Sequence, residues 1–200
     1  MKFSHPLMHN NFTKSDIRSV SKLLRQKNIV LTQSKNVKQF EYKWSKWLGV
    51  KYSVFVNSGS SANLLTMAIL KILYKKNEII LPTLTWVSDV NSVILNNFKP
   101  VFVDINLNNL CMSESEILKK INKKTLAVFI THAQGFNGLS NYLLNYLKKK
   151  KILLIEDVCE SHGATFNNKK LGSFGLISNF SFYYAHHMST IEGGMICTNN

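Results

Sequence analysis

A hydroxyl at Ser181, imidazoles at His186 and His187 and a carboxylate at Glu192 fall in one short stretch, and the paired glycines Gly193 and Gly194 let backbone approach whatever sits there. Imidazole moves protons near neutral pH, so this grouping can do acid–base work. Taken without other motifs, His186 and His187 read as ordinary polar turn residues. A second grouping, Glu156-Asp157-Val158-Cys159-Glu160-Ser161-His162-Gly163, follows the apolar run Ile152 to Ile155. A carboxylate where a buried strand ends needs a partner, and Asp157 has three candidates: a protonated ring nitrogen, a metal ion or a lysine. Asp157, Cys159, Glu160 and His162 are all metal-ligand types. Along an extended segment, however, the first two point one way and the last two the other, which argues against a shared ion. A third grouping, Asn57-Ser58-Gly59-Ser60-Ser61-Ala62-Asn63, opens a helix. Small residues there present free N–H groups and the positive dipole end that a phosphate needs, although N-capping by serine explains the same residues. No GxxxxGK[ST] or GxGxxG is present, so neither a P-loop nor a dinucleotide fold is indicated. Trp86 offers a flat face to a planar ring, but alone it reads as core. His132, after another strand, lies at the same edge without an assigned role.

These groups need a frame. Strands are expected at Tyr52 to Val56, Glu78 to Leu81, Val101 to Asp104, Leu126 to Thr131, Ile152 to Ile155, Asn179 to Tyr183 and Met195 to Thr198. Between the early ones lie helical patterns at Ser60 to Tyr74, Trp86 to Asn96, Ser113 to Ile121, with a capping box of Ser113 and Glu116, and Ser140 to Lys150. Near-continuously apolar strands alternating with helices predict an α/β fold with a mainly parallel sheet covered on both faces. Ligands in such sheets bind beyond the carboxyl ends of the strands, where the three groupings fall. Two amphipathic helices precede the sheet, one from Thr13 to about Lys27 and one carrying Val37, Phe40, Trp44, Trp47 and Leu48 on one face with Gly49 as its stop. The tryptophan pair obeys the helical period and reads as core. The expected division is an N-terminal helical segment, 1–50, followed by 51–200.

Two hundred residues, 45% of them hydrophobic, suffice for a domain with a real core. The net charge of +14 raises a nucleic-acid reading, but only Arg18 and Arg25 of the 25 basic residues are arginine and the lysines are scattered. Phosphate and base readers cluster arginine, so nucleic acid is not an expected partner, whereas an anionic small substrate gains modestly from the field. Cys111, Cys159 and Cys197 lie far apart with no CxxC spacing, which points away from a disulfide framework or a zinc site and fits a reducing cytoplasm. Met1 to Asn11 carries no apolar signal region and no run is long enough to span a bilayer, so no membrane association is expected. Lys169 and Lys170, in the polar turn Asn167 to Lys170, read as solvated.

Ser58-Gly59-Ser60 before a helix, Pro82 to Trp86 after a strand, Val101 to Asp104, Glu156-Asp157 with His162-Gly163-Ala164, and Ser181-Phe182 to Glu192-Gly193-Gly194 follow one another in an order that resembles the DegT/DnrJ/EryC1/StrS family. The resemblance covers roughly Leu23 to Asn200. It implies the large domain of an aspartate-aminotransferase-like enzyme using pyridoxal or pyridoxamine 5'-phosphate (PLP or PMP). Gly59, Ser60 and Ser181 would hold the phosphate, Trp86 would stack on the pyridine ring, Asp157 would bind its nitrogen, and Glu160, where the family usually has glutamine, would lie near the ring hydroxyl. The aminotransferases carry their PLP-anchoring lysine where this chain has His186.

That exchange resembles the histidine-bearing branch, the nucleotide-sugar 3-dehydratases of deoxysugar and O-antigen polysaccharide synthesis. It implies a catalytic His186 acting on a 4-keto-6-deoxy nucleotide sugar, with His187 as a packing or orienting neighbour. An aminotransferase or a noncatalytic fragment on this scaffold are the alternatives. The resemblance further implies a homodimer when full length and a C-terminal small domain that this chain lacks. It leaves open GDP or CDP, and glutamate as amino donor or an iron–sulfur route.

Overall fold

Tyr52 is where helical spacing gives way to short apolar runs, and there the sheet begins. The computed structural model describes residues 10–200. In chain order its elements are α1 (Lys14–Leu24), α2 (Lys35–Leu48), β1 (Tyr52–Val56), α3 (Gly59–Leu73), β2 (Glu78–Pro82), α4 (Val87–Leu95), β3 (Lys99–Val103), α5 (Glu114–Lys120), β4 (Thr125–Thr131), α6 (Asn141–Lys150), β5 (Leu153–Asp157), β6 (Thr165–Phe166), β7 (Lys169–Lys170), β8 (Ile177–Ser181) and β9 (Gly194–Thr198). Seven strands form one sheet in the order β1-β9-β8-β5-β4-β2-β3. Four neighbouring pairs run parallel, and only β9 runs antiparallel to its neighbours β1 and β8. This is the mainly parallel α/β architecture expected.

The strands are apolar on both faces because both are covered. Ile79, Leu81, Ala127, Phe129 and Ile155 pack with Met67 and Leu70 of α3 and Val93 of α4. Alternate residues, Ile80, Val128, Ile130 and Leu154, pack the other way, with Trp44 and Leu48 of α2, Ile117 of α5 and Leu143 and Leu147 of α6. Burial of this kind contributes roughly 25 cal/mol per Å² of apolar surface. No helix among the described residues is long and apolar enough to cross a membrane.

Several local expectations are corrected. Thr13 and Asp16 form a reciprocal capping box at α1, yet α1 buries none of its residues, and Ile17, Val20 and Leu24 are exposed. Trp44 is core, but Trp47 is 39% exposed. The Ser113–Glu116 capping box does not form, because Glu116 is drawn to Lys119 at 2.6 Å and the Ser113 hydroxyl lies 3.1 Å from that of Ser115. The polar turn at Asn167 to Lys170 is the tip of a hairpin, β6 paired antiparallel to β7, with Asn167 and Asn168 both at positive φ. Lys170 is not merely solvated: its ammonium sits 5.1 Å from the centre of the Trp47 ring.

Candidate active site

Because β1, β2, β4, β5 and β8 run in the same direction, their carboxyl ends meet along one edge of the sheet, and β9 starts there. Gly59 opens α3 just beyond β1, Asp157 ends β5, Ser181 ends β8 and Gly194 begins β9 opposite Ser181. The small residues are required by close approach. A Cβ built on Gly59 would lie 2.6 Å from the Cβ of Ser181, and one on Gly194 would run into the Ser58 carbonyl and lie 2.8 Å from the Gly59 nitrogen. Glycine at both positions therefore lets the α3 turn seat against Ser181. The Ser58 hydroxyl caps α3 by accepting from Ser61 N at 3.1 Å, and no hydrogen bond among the described residues engages the N–H groups of Gly59 and Ser60. Two free donors at the positive end of a fifteen-residue helix, with a serine hydroxyl beside them, make an anion cradle.

Asp157 is 3% exposed and accepts from Cys159 N at 2.8 Å and from the Asn63 amide at 3.3 Å. Beyond it the strand turns, so Glu160 swings toward the turn at Ala133–Gly135 and accepts from the backbone and side-chain nitrogens of Gln134 at 3.0 and 3.2 Å. Burial and the Asp157 carboxylate push the Cys159 thiol well above its ordinary pKa. All three cysteines are free.

His186 sits on a loop whose base is pinned by buried Phe182. Phe182 N donates to Gly193 O at 2.8 Å, and its carbonyl accepts from Thr190 N at 2.9 Å. The Phe182 ring lies in an aromatic cluster with Phe40, Trp44 and Phe55. The His186 ring is partly buried, between Tyr183 at 5.9 Å and His162 at 6.3 Å. Its burial lowers its pKa, opposed by the carboxylates of Glu160 and Asp157. Asp157, Glu160 and His186 thus share one electrostatic environment. His187 is exposed, its ring 6.0 Å from that of His162. Trp86 stands at the start of α4, 68% exposed, and no side-chain hydrogen bond or ring contact among the described residues joins it to the others; its neighbour Thr85 bonds into the site, through Asp89. Ser60 is exposed at the mouth of the cradle.

Two buried groups escaped sequence reasoning. Glu156, beside Asp157, accepts from the N–H groups of Gly172, Phe174 and Gly175 at 2.8, 2.9 and 2.6 Å, and its Oε2 lies 3.2 Å from His132 Nε2. Because Gly138 N donates to His132 Nδ1, the imidazole proton is on Nε2 and points at Glu156. His132 is therefore part of the frame. Asp89, fully buried in α4, bonds Asn63, Thr85 and Thr131. The signal for both was present as a carboxylate in an apolar setting, but their partners lie too far along the chain to be paired by eye.

His162 carries a testable consequence. Both ring nitrogens are buried without a hydrogen-bond partner among the described residues, amid Trp44, Phe180 and Phe182. Burial first, then His186 and His187, lowers its pKa to about 4. The folded chain refuses a proton that the unfolded chain accepts below 6.5, so this stability is complete above pH 6.5 and lost as pH falls toward 4. The loss is of order 3 kcal/mol. Urea unfolding at pH 7 and pH 4.5 should show it, and His162→Phe should remove much of the drop.

Comparison with known proteins agrees with this geometry. The DegT/DnrJ/EryC1/StrS aminotransferase family matches residues 10–200. The chain is 34% identical to GDP-4-keto-6-deoxy-D-mannose 3-dehydratase of Escherichia coli O55:H7 over an alignment that covers 98% of this chain and 52% of that protein. It is 35% identical to GDP-perosamine synthase of Vibrio cholerae over 171 residues, 86% of this chain and 46% of that one. The crystal structure of E. coli GDP-4-keto-6-deoxy-D-mannose-3-dehydratase with bound hydrated PLP superposes with a TM-score of 0.91 at 35% identity, covering 98% of this chain and 51% of that chain. This chain spans about half the length of the curated relatives it matches. Sheet topology, the glycine-lined cradle and the match over residues 10–200 agree: the chain belongs to the DegT/DnrJ/EryC1/StrS aminotransferase family.

Proposed function

We propose that this chain is the cofactor-binding part of a PLP/PMP-dependent nucleotide-sugar 3-dehydratase, acting on a 4-keto-6-deoxy nucleotide sugar in deoxysugar and surface-polysaccharide synthesis. The observation that carries the reading is His186. An imidazole stands where aminotransferase relatives keep their anchoring lysine, partly buried and in the field of Asp157 and Glu160. The residues present fit the cofactor. The free N–H groups of Gly59 and Ser60 and the Ser181 hydroxyl suit its phosphate, and the buried Asp157 carboxylate, with no cationic side chain paired to it among the described residues, suits a protonated ring nitrogen. Exposed Trp86 would cover a ring face, and Glu160, held by Gln134, would lie near the ring hydroxyl.

When bound, the cofactor supplies an amine that condenses with the sugar ketone and a ring that accepts electrons. Asp157 would hold the ring nitrogen and keep its proton in place. His186, which burial keeps neutral at pH 7, accepts a proton as base and in its protonated form donates to the C3 hydroxyl as it leaves. An imidazole cannot form an imine with an aldehyde, so His186 would leave the cofactor without a bond to the chain.

The whole protein is read as a cytoplasmic homodimer. Its exposed apolar residues on the adjacent helices α3 and α4, Leu64, Leu65, Ile69, Ile72 and Ile94, suit a subunit interface. Glutamate as amino donor belongs to this reading as one of the two regeneration routes that the resemblance leaves open, and no nucleic-acid partner is part of it. The nucleotide is GDP by analogy with the relatives above.

Borohydride treatment of the PLP-loaded full-length protein should leave no cofactor covalently attached; retention on a lysine would refute the assignment. Gly59→Ala should drive Ser181 from the cradle and weaken PLP phosphate binding about tenfold or more, read by equilibrium dialysis.

A further inference from the structure

Asp89 is unused by the mechanism above, although it is wholly buried beside Asp157. One amide joins them: Asn63 Nδ2 donates to Asp89 Oδ1 at 2.6 Å and to Asp157 Oδ2 at 3.3 Å. Two carboxylates facing that nitrogen fix its orientation, and Asn63 Oδ1 is taken by Asn179 Nδ2 at 2.8 Å, whose Oδ1 in turn accepts from Thr66. Every donor here is neutral, since no salt bridge reaches either aspartate among the described residues.

The remaining contacts can be counted. Asp89 Oδ2 touches the hydroxyls of Thr85 and Thr131, the latter at 3.0 Å, and the two hydroxyls lie 2.7 Å apart. Three oxygen-to-oxygen contacts close a triangle, and two hydroxyl hydrogens cover at most two of them. A hydrogen on Asp89 covers the third. Two ionised carboxylates in one buried, cation-free place are also strongly disfavoured. Of the pair, Asp157 has a backbone donor, Cys159 N at 2.8 Å, and Asp89 has none among the described residues, whereas burial and the neighbouring Asp157 carboxylate hold Asp89 well above the usual carboxylate range. The other titratable groups facing the pair are Cys159, kept protonated by burial, and His162 and His186, both lowered by burial.

We propose that Asp89 is a positioning residue that holds a proton beside Asp157, so that the pair presents a single negative charge to a single protonated ring nitrogen. The match to a ring nitrogen rests on the function proposed above; the shared proton does not. Asp89 acts through Asp157 by setting the charge of the site floor.

The test uses the cofactor-free, full-length protein at pH 7. Infrared spectra should contain a protonated-carboxyl C=O band that is lost in Asp89→Asn and kept in Asp157→Asn. Absence of the band from the wild type, its persistence in Asp89→Asn or its loss in Asp157→Asn overturns the proposal. Should Asp89→Asn fail to fold, a pH titration of ¹³C-carboxyl aspartates in the wild type decides: one carbon stays at its protonated shift through pH 7, and ionisation of all of them overturns the idea. An amide imitates a neutral acid, so Asp89→Asn should bind pyridoxamine phosphate within about threefold of wild type, and a loss beyond about tenfold means an ionised Asp89 was needed. If the wild type binds no pyridoxamine phosphate, the cofactor assignment fails while the infrared result still decides the proton.

Discussion

Replacing His186 with asparagine in the full-length protein should cut dehydration by about 10²–10⁴-fold, the usual contribution of a positioned general acid–base group. Cofactor binding should change little, because the phosphate cradle, Asp157 and Trp86 are carried by other elements of the fold. The side chain is partly buried on a loop whose base at Phe182 does not depend on it, so folding should survive. His186→Lys is the sharper variant. A lysine amine at this point, under the same desolvation that lowers the imidazole pKa, should bond PLP covalently and be fixed by borohydride, with dehydration lost. Mass spectrometry of the reduced protein reads the bond, and release of the 3-deoxy product reads the activity. Dehydration at the wild-type rate in either variant would remove His186 from the mechanism.

What could be read from the chain follows from the range over which each signal acts. The strands at Thr125–Thr131 and Leu153–Asp157 are continuous apolar runs, visible without partners because both faces are buried. Gly59, Asp157 and Ser181 were legible because parallel strands put their ends on one edge whatever the details of packing. At Asn167-Asn168 only a polar turn was legible; that it is a hairpin tip, with both asparagines at positive φ, depends on the pairing of β6 with β7, which composition alone does not reveal. Asp89 was not legible. Its partners Asn63 and Thr131 stand 26 and 42 residues away, and the Asn63–Asn179 contact spans 116. Such a network exists only once the sheet has formed. α1 shows the converse case, where an apolar stripe at helical spacing is plain in sequence and nothing among the described residues covers it.

The same long-range logic makes Glu156 the residue whose loss should cost most stability. Its carboxylate gathers three backbone N–H groups from Gly172, Phe174 and Gly175 and the Nε2–H of His132, and none of its surface is exposed. In sequence it is simply the residue before Asp157. In the fold it ties the segment leading into β8 to the end of β4, across the strand that carries Asp157. Glu156→Ala strands four donors, two of them fully buried (Gly172 N–H and His132 Nε2–H) and two half-buried, and leaving such groups unpaired should cost about 3–5 kcal/mol. Glu156→Gln keeps an oxygen for one pair of donors but turns an amide NH₂ toward the other, so it should fall between alanine and wild type. The urea midpoint reads both. Because the β5–β8 register sets where Asp157 sits relative to Ser181, PLP affinity should fall together with stability. A Glu156→Ala protein of unchanged midpoint and weakened cofactor binding would instead place this carboxylate in direct contact with the ligand, which its saturated hydrogen bonds and complete burial oppose.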